Sequence, residues 1–597
     1  MTNRVIRANE PVFSWKKVIQ YGLIGGAAVI YLCLVGMVEA FNDRYVIYQV
    51  LTLGLSLLVV VSTGMGYVAA QKLSAGHSGK ALVGGVGVGL ISGVMAAILV
   101  IVTDTTNIRN MFVNASPKLV QILTFSQESL SVGLLMLIGF LTLFSILGAA
   151  IYLIPPLPRR ILVVGLSAVL LIGMLQELLG VVFSRSDLTK SLAKFLFARN
   201  GLSVVGAITV FVVFAGFDGL WTVRRGQVKQ SYATLPSAQQ RAVSWVIMAI
   251  VIILLLLLPQ MVGPYISQIL VLVGLYTLMG LGLNIDIGLA GLLDLGFVGF
   301  FAIGAYVTAL LTSTSEIGLS SVLAGQPTGE MFVSFWVAVP IAIAISAIAG
   351  VFLGVPVLRM RGDYLAIVTL GFAEIIRILV LSDFLRPALG GAQGILNIPK
   401  PVLSLFNFIH PTLMNFTIKD PQHFYYLIFI GCVIIAFVAW RLQYSRIGRN
   451  WMAMREDEDV AEAMGINLVA SKLLAFGTGA AFAGLSGAIF ASQVGSVFPH
   501  SFALLVSINV VCIVIIGGVG SIPGVVVGSL ALIGLPELLR EFAEFRLLIY
   551  GALLIVMMLV RPEGFWPSEV RKRELHAGDE QVEPQPVIAD SALETAG

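Results

Sequence analysis

Glu374 and Arg377 lie inside the apolar run GDYLAIVTLGFAEIIRILV, three positions apart and therefore on one face of a helix. An ionisable side chain at the centre of a membrane span costs on the order of 2.5–3.5 kcal/mol on an insertion scale, so such groups pair with each other or border a water-filled path. Either reading fits these two residues, and a zwitterionic solute would suit the pair. A second run, GLYTLMGLGLNIDIGLAGLLDLGFVGFFAIGAY (274–306), places Asp286 and Asp294 among Gly288, Gly291, Gly296 and Gly299. This density of glycine around buried acids predicts a broken helix, the device by which transporters expose backbone groups near the bilayer midplane. Flexible packing accounts for the glycines equally well.

The third segment of interest is RLQYSRIGRNWMAMREDEDVAEAMGINLVASK (441–472), a highly charged connection between apolar runs. Its pattern predicts a helix from about Trp451 to Met464, closed by Gly465 as C-cap. A solvated loop is the ordinary reading. Both signs of charge beside apolar Val460, Ala461 and Met464 also suit docking into a groove on another protein. Small residues at spacing four, Ala480, Gly484, Ala488 and Ser492 on one run and Gly350 and Gly354 on another, permit close helix packing, static or moving.

No G-x-x-x-x-G-K-[ST] occurs, and GHSGKA (76–81) lacks the first glycine spacing and the hydroxyl. If ATP drives this protein, the ATPase is a separate chain. H-E-x-x-H and G-x-S-x-G are also missing, which leaves a membrane protease or lipase without support. Cys33, Cys432 and Cys512 fall inside apolar runs, far from metal-ligand spacing, and no metal site is expected.

The elements that must position these groups are membrane helices. Of 597 residues, 58% are hydrophobic and 11% charged, against about 25% charged in a soluble domain, and the mean hydropathy is +0.97. The net charge of +4 carries no basic block of the kind that grips nucleic acid. Apolar stretches begin near 20, 47, 82, 130, 161, 202, 243, 268, 288, 332, 363, 424, 469, 504, 522 and 547, an all-α polytopic bundle of about sixteen spans. The first is a retained anchor after Lys16 and Lys17, not a cleaved signal. The stretch 503–536, with Gly517, Gly518, Gly520 and Pro523, reads as two spans or as a re-entrant hairpin.

Lys and Arg accumulate in loops that place both termini in the cytoplasm. The connection at 184–200 then puts Arg185, Lys190, Lys194 and Arg199 outside, either as a half-embedded amphipathic helix or through a miscounted span. The chain divides into a block of six spans (1–223), a short polar loop (224–242), a core (243–567) and an acidic tail (568–597) with the composition of disorder.

From about residue 268 to 567 the chain resembles the LivM family of ABC-transporter permease subunits for branched-chain amino acids. The resemblance rests on GLAGLLDLGFVGFFAIGAY (288–306), LRMRGDYLAIVTLGFAEIIRIL (358–379), GGAQGI (390–395), SRIGRNWMAMREDEDVAEAMGIN (445–467), LLAFGTGAAFAGLSGAIFA (473–491) and GGVGSIPG (517–524), in family order. It implies a bacterial inner-membrane importer in which this subunit pairs with a LivH-like permease. Two cytoplasmic ATPases carry ATP and Mg, and a periplasmic or lipid-anchored binding protein delivers the solute. The chain itself would hold no cofactor and catalyse no covalent reaction.

On that analogy the charged segment is the coupling helix, with Asp459, Val460, Ala461 and Gly465 resembling a degenerate Glu-Ala-Ala-x-x-x-Gly motif and Trp451, Arg455 and Met464 completing it. The substrate path would take in Asp286, Gly288, Gly291, Asp294, Gly296, Gly299, Glu374, Arg377, Gly390 and Gly391. Leu389 stands where the family pattern has Thr, and the leading six spans exceed the family's short extension. Three other readings stay open: a permease for urea or short amides; an ion-coupled transporter in which Asp286, Asp294 and Glu374 bind the cation; and a membrane scaffold or sensor.

Overall fold

The computed structural model describes residues 13–567 except 74–77, 107, 184–186, 327, 358–359, 361, 405–414, 541–544, 546–547, 549–550, 553–554, 556 and 558–563. The expected tail, 568–597, and most of the apolar run near 547 lie outside the described residues. Contacts divide the chain into two compact units, Met1–Ile250 and Val251–Gly597.

In the first unit the long helices are α1 (Trp15–Val35), α2 (Leu53–Leu73), α3 (Ser78–Thr105), α4 (Leu130–Leu153), α5 (Pro156–Met174) and α7 (Val204–Ala233). A core of Val29, Leu58, Val100, Leu137 and Leu141 joins α1 to α4. Helices α2 and α4 touch backbone to backbone: a Cβ on Gly66 would lie 1.9 Å from the Ser145 carbonyl oxygen. Helices α5 and α7 share the ion pair Arg160–Asp218 at 2.9 Å. Four short strands, β1 (Tyr45–Ile47), β2 (Leu51–Thr52), β3 (Phe197–Ala198) and β4 (Gly201–Leu202), pair in the order β2-β1-β4-β3, with Ile47 opposite Leu202 in the parallel pair. A ten-residue helix, α6 (Asp187–Leu196), occupies the 184–200 connection.

The polar stretch 224–242 is not the loop its composition suggested. Helix α7 continues to Ala233 and α8 (Ser237–Leu283) begins after Pro236. Arg, Gln, Lys and Ala are good helix formers, so a polar composition here marks solvation rather than coil.

Helix α8 spans 47 residues and is kinked at Gly263, where φ is 93°, beside Pro259 and Pro264. Proline removes a backbone donor and frees a carbonyl one turn earlier. Side chains from a neighbouring helix meet carbonyls along the kink. Tyr425 and Tyr426 donate their hydroxyls to the Leu255 and Leu256 carbonyls at 3.0 and 2.8 Å. The Pro259 carbonyl accepts Gln422 Nε2 at 2.8 Å. All three side chains come from α12 (Pro421–Gln443), which therefore stabilises the kink.

In the rest of the second unit α15 (Leu468–Val494) packs against α9 (Phe297–Thr312) and α10 (Phe335–Val357), and α11 (Asp363–Leu381) packs on α9. The two small-residue ridges meet each other. A Cβ on Gly350 would lie 2.6 Å from Ala480 Cβ, and one on Gly484 would strike Ser346 Oγ at 2.4 Å. These ridges let helix axes approach closely, as small residues do in membranes. Residues 503–536 form a tight hairpin of α16 (Leu504–Gly517) and α17 (Ile522–Ser529), where a Cβ on Gly517 would lie 2.2 Å from the Gly524 carbonyl oxygen.

Among the described residues, 12 helices are long and apolar enough to cross a membrane. The expected sixteen runs are all visible as helix or fall largely outside the described residues, but they do not make sixteen such spans. The runs near 243 and 268 fuse into one 51-residue stretch, Gln239–Leu289, and Phe297–Thr312 and Ile522–Leu538 are shorter. Hydropathy registers an apolar run but not whether a kink divides it or a break shortens it. The fold is a polytopic α-helical membrane bundle.

Candidate solute path and coupling site

The 274–306 segment is broken as its glycines imply. After α8 the chain widens into a π-helical turn, Asn284–Leu289, and then leaves helical geometry until α9 starts at Phe297. Gly291 takes φ +73°, a left-handed conformation that favours glycine. A break of this kind leaves backbone groups without helical partners, and they must be met elsewhere. Asp294 Oδ1 accepts the Gly296 N–H at 2.7 Å, Thr369 Oγ1 accepts the Leu295 N–H at 3.0 Å, and Ser507 Oγ accepts the Val298 N–H at 3.0 Å. Asn284 Oδ1 accepts the Gly520 N–H at 2.8 Å, which fixes the turn of the α16–α17 hairpin against the π-helix. Asn284, Thr369 and Ser507 were not singled out from the sequence; their only signal was a small polar residue in an apolar run.

Asp286 is fully buried against Gly479, and neither of its carboxylate oxygens has a hydrogen-bond partner among the described residues. Asp294 is also fully buried, with Oδ2 likewise unpartnered.

Glu374 and Arg377 form the expected pair, with Arg377 Nε donating to Glu374 Oε2 at 2.8 Å, both side chains about one-third exposed. Arg377 and Gly299 line the same small cleft between α9 and α11, with Pro499 and Phe502 also in its lining. Gly299 lies against Phe372 and Ala373 of α11. Gly390 and Gly391 belong to neither cluster. They form a tight turn with φ of +79° and +56°, where a Cβ on Gly390 would meet the Gly394 carbonyl, and the chain then bridges Ile395 to Val497. The ten expected path residues thus fall in three places: the break, the cleft and a structural turn.

The charged connection is an elbow, not the single helix expected from Trp451 to Met464. Helix α13 (Arg446–Glu456) stops at Asp457, whose φ of −157° is extended, and α14 (Glu458–Ala463) restarts with Asp457 Oδ1 accepting the Val460 N–H at 3.0 Å. The four acids in REDED favour this outcome, because Asp is a strong N-cap and competes with a continuing helix. Gly465 closes the elbow at φ +84°: its N–H bonds the Glu462 carbonyl at 2.9 Å and the Ile466 N–H bonds that of Ala461 at 3.1 Å, a Schellman motif.

The elbow's residues divide by direction. Trp451 is fully buried and its indole N–H donates to the Ser471 carbonyl at 2.8 Å. Lys472, buried at the start of α15, pairs with Glu458 at 2.8 Å. Arg455 reaches into the break, donating from Nη1 to the Gly288 carbonyl at 2.9 Å, while its stem fills the space where a Cβ on Gly291 would stand, 2.6 Å from Arg455 Cγ. Ala461 is buried, contrary to its expected place on the docking face. Val460 and Met464, 58% and 79% exposed, stand one turn apart among the exposed acids Asp459 and Glu462.

A broken membrane helix, a half-buried ion pair beside a cleft and a charged elbow clamped to the break define a permease-type membrane protein. The family described as branched-chain amino acid transport system / permease component matches residues 265–560. The high-affinity branched-chain amino acid transport system permease proteins LivM of Salmonella typhimurium and of Escherichia coli K12 are 40% and 41% identical to this chain. Each match covers 54% of this chain, and 75% and 74% of the respective relative. LivH of Escherichia coli K12 is 26% identical over 48% of this chain and 90% of its own length. No solved structure matches. The chain belongs to the LivM family of branched-chain amino-acid transport permeases.

Proposed function

We propose that this chain is a permease subunit of an ATP-driven importer for branched-chain or related aliphatic amino acids. It pairs with a LivH-like permease, and two cytoplasmic ATPases, which bind ATP and Mg, dock on the elbow. A binding protein delivers the solute on the opposite side. Both termini and the elbow are cytoplasmic in this arrangement. The leading block of residues 1–250 is an accessory membrane unit.

The observation that carries the proposal is the position of Arg455. An elbow exposing Val460 and Met464 outward bonds inward, through Arg455, to the carbonyl of Gly288 in the helix break. A partner that grips the elbow therefore acts directly on the break, and rotation of an ATPase groove is passed on as rigid-body motion. The relatives' names, which specify branched-chain amino acids, support the solute class.

The test is reconstitution of the full complex in lipid vesicles. Leucine uptake should require ATP at the ATPase subunits and persist when sodium and proton gradients are collapsed. Uptake driven by either gradient without the ATPases would overturn the proposal, and retention of urea instead of leucine by the binding protein would reassign the solute.

A further inference from the structure

We infer that α6 lies in the membrane–water interface and binds the headgroups of anionic phospholipids, so that the leading unit is anchored to the bilayer surface as well as threaded through it.

Helix α6 connects two helices long and apolar enough to cross a membrane, Pro156–Met174 and Val204–Gln227. Its C-terminal end is fastened near both. The Ser203 N–H donates to the Leu196 carbonyl at 2.8 Å, Ser203 Oγ donates to the Phe195 carbonyl at 2.9 Å, and a Cβ on Gly206 would strike the Leu196 carbonyl oxygen. These contacts hold the end of α6 against the first turn of α7. Gln176, two residues past the end of α5, donates from Nε2 to the Ala198 carbonyl at 3.2 Å. The end of α6 is therefore fixed where two spans meet the edge of the bilayer.

Leu196 sets the rotation of the helix. It packs with Ala168, Val169, Ala207 and Val210 at the adjoining ends of α5 and α7. Leu192, one turn earlier, stands on the same side as Leu196, and Phe195 stands beside Leu192. Leu192 and Phe195 are nevertheless 55% and 49% exposed. Val204, Val205 and Ile208, in the first two turns of the adjoining span, are also more than half exposed, as lipid-facing residues are.

Lys190 and Lys194, four positions apart, fall on the opposite side of α6. Both are exposed, as is Arg199 just beyond the helix. From Asp187 to Arg199 the chain holds one acid and three bases, and the nearby Glu177 pairs with Arg44 at 3.3 Å. A short helix with leucine and phenylalanine on one side and lysines on the other lies in the bilayer surface, its apolar side sunk about 5–10 Å. Basic residues held at that depth select anionic lipid, whose phosphate supplies the missing counter-charge. A soluble partner reaches the lysines but not Leu192 and Phe195, which share the side of Leu196, the side turned toward the spans.

The experiment reconstitutes the full chain, with p-benzoylphenylalanine in place of Phe195, in vesicles of equal parts phosphatidylglycerol and phosphatidylcholine. After irradiation, adducts at that position are identified by mass spectrometry. Phospholipid should be the main adduct, with phosphatidylglycerol exceeding phosphatidylcholine by at least about threefold. Lys190→Gln combined with Lys194→Gln changes only exposed side chains and should leave the total adduct within about twofold while bringing the two lipids to near equality. Absence of a phospholipid adduct, or an adduct to a second copy of the chain in its place, overturns the interfacial placement. Equal capture of the two lipids with both lysines present, or an excess of phosphatidylglycerol that survives their loss, overturns the headgroup assignment.

Discussion

The guanidinium of Arg455 donates to the carbonyl of Gly288 at 2.9 Å, across 167 positions of sequence. The donor sits at the end of the first limb of the elbow and the acceptor in the π-helical turn. A hydrogen bond from a charged donor contributes about 1.5–3 kcal/mol net, which corresponds to about ten- to hundredfold in an equilibrium. Arg455→Met keeps the stem that packs on Gly291 and removes the bond. We expect leucine uptake by the reconstituted complex to fall about tenfold or more while basal ATP hydrolysis is retained, and partial recovery in Arg455→Lys. Equal loss of both activities would show that the contact only supports the fold.

Lys472 and Glu458 join α15 to the second limb of the elbow, with the Lys472 side chain 4% exposed. Removing one member of a buried pair leaves the other charge uncompensated, at about 3–5 kcal/mol when burial is complete. Glu458 is one-fifth exposed, which reduces the penalty. Lys472→Met should lower the thermal midpoint of the purified protein by several degrees, and the double variant Lys472→Met with Glu458→Gln should recover part of that loss. No recovery would mean that the lysine acts through packing alone.

Val460 and Met464 present apolar surface outward from a charged helix. Exposed substitutions of this kind change stability by less than about 0.5 kcal/mol, so a loss of partner binding can be read cleanly. Val460→Asp and Met464→Glu should leave expression and melting unchanged while the ATPase no longer co-purifies. Undiminished co-purification would remove the elbow as the docking site.

Gly296 and Gly371 separate crowding from composition. A Cβ on Gly296 would lie 1.9 Å from the Thr369 carbonyl oxygen, whereas one on Gly371 meets nothing within 4 Å. Overpacking costs about 1–3 kcal/mol and more where backbone must move. Gly296→Ala should reduce the yield of folded protein or its melting temperature, and Gly371→Ala should do neither. Equal tolerance of both would show that α9 and α11 can part at this point.

Several features of the core are legible in the amino-acid sequence. The glycine and aspartate pattern of 274–306 implies a break, Gly465 marks the end of the elbow, and Glu374 and Arg377 are spaced as a pair. Each depends on neighbours within about one helical turn. The single helix expected over 451–464 failed because Asp457 caps a new helix, a local effect that competed with helical periodicity and prevailed. The polar stretch 224–242 was misjudged because polarity reports contact with water and not backbone conformation.

The burial of Ala461 and the turn at Gly390 and Gly391 were not legible in the sequence for a different reason. Helical spacing shows which residues share a face, but not which face another element will cover. By itself, the amino-acid sequence determined that this chain partitions into a membrane, that it belongs with permeases and that a charged connection separates two of its late apolar runs, because those outcomes follow from transfer free energies and short-range residue patterns. Only the tertiary structure decided that Arg455 meets Gly288, that Arg377 and Tyr306 border one cleft, and that Asp286 is sealed against Gly479. Contacts between residues far apart in the chain are set by how closely whole helices pack, which no local pattern encodes.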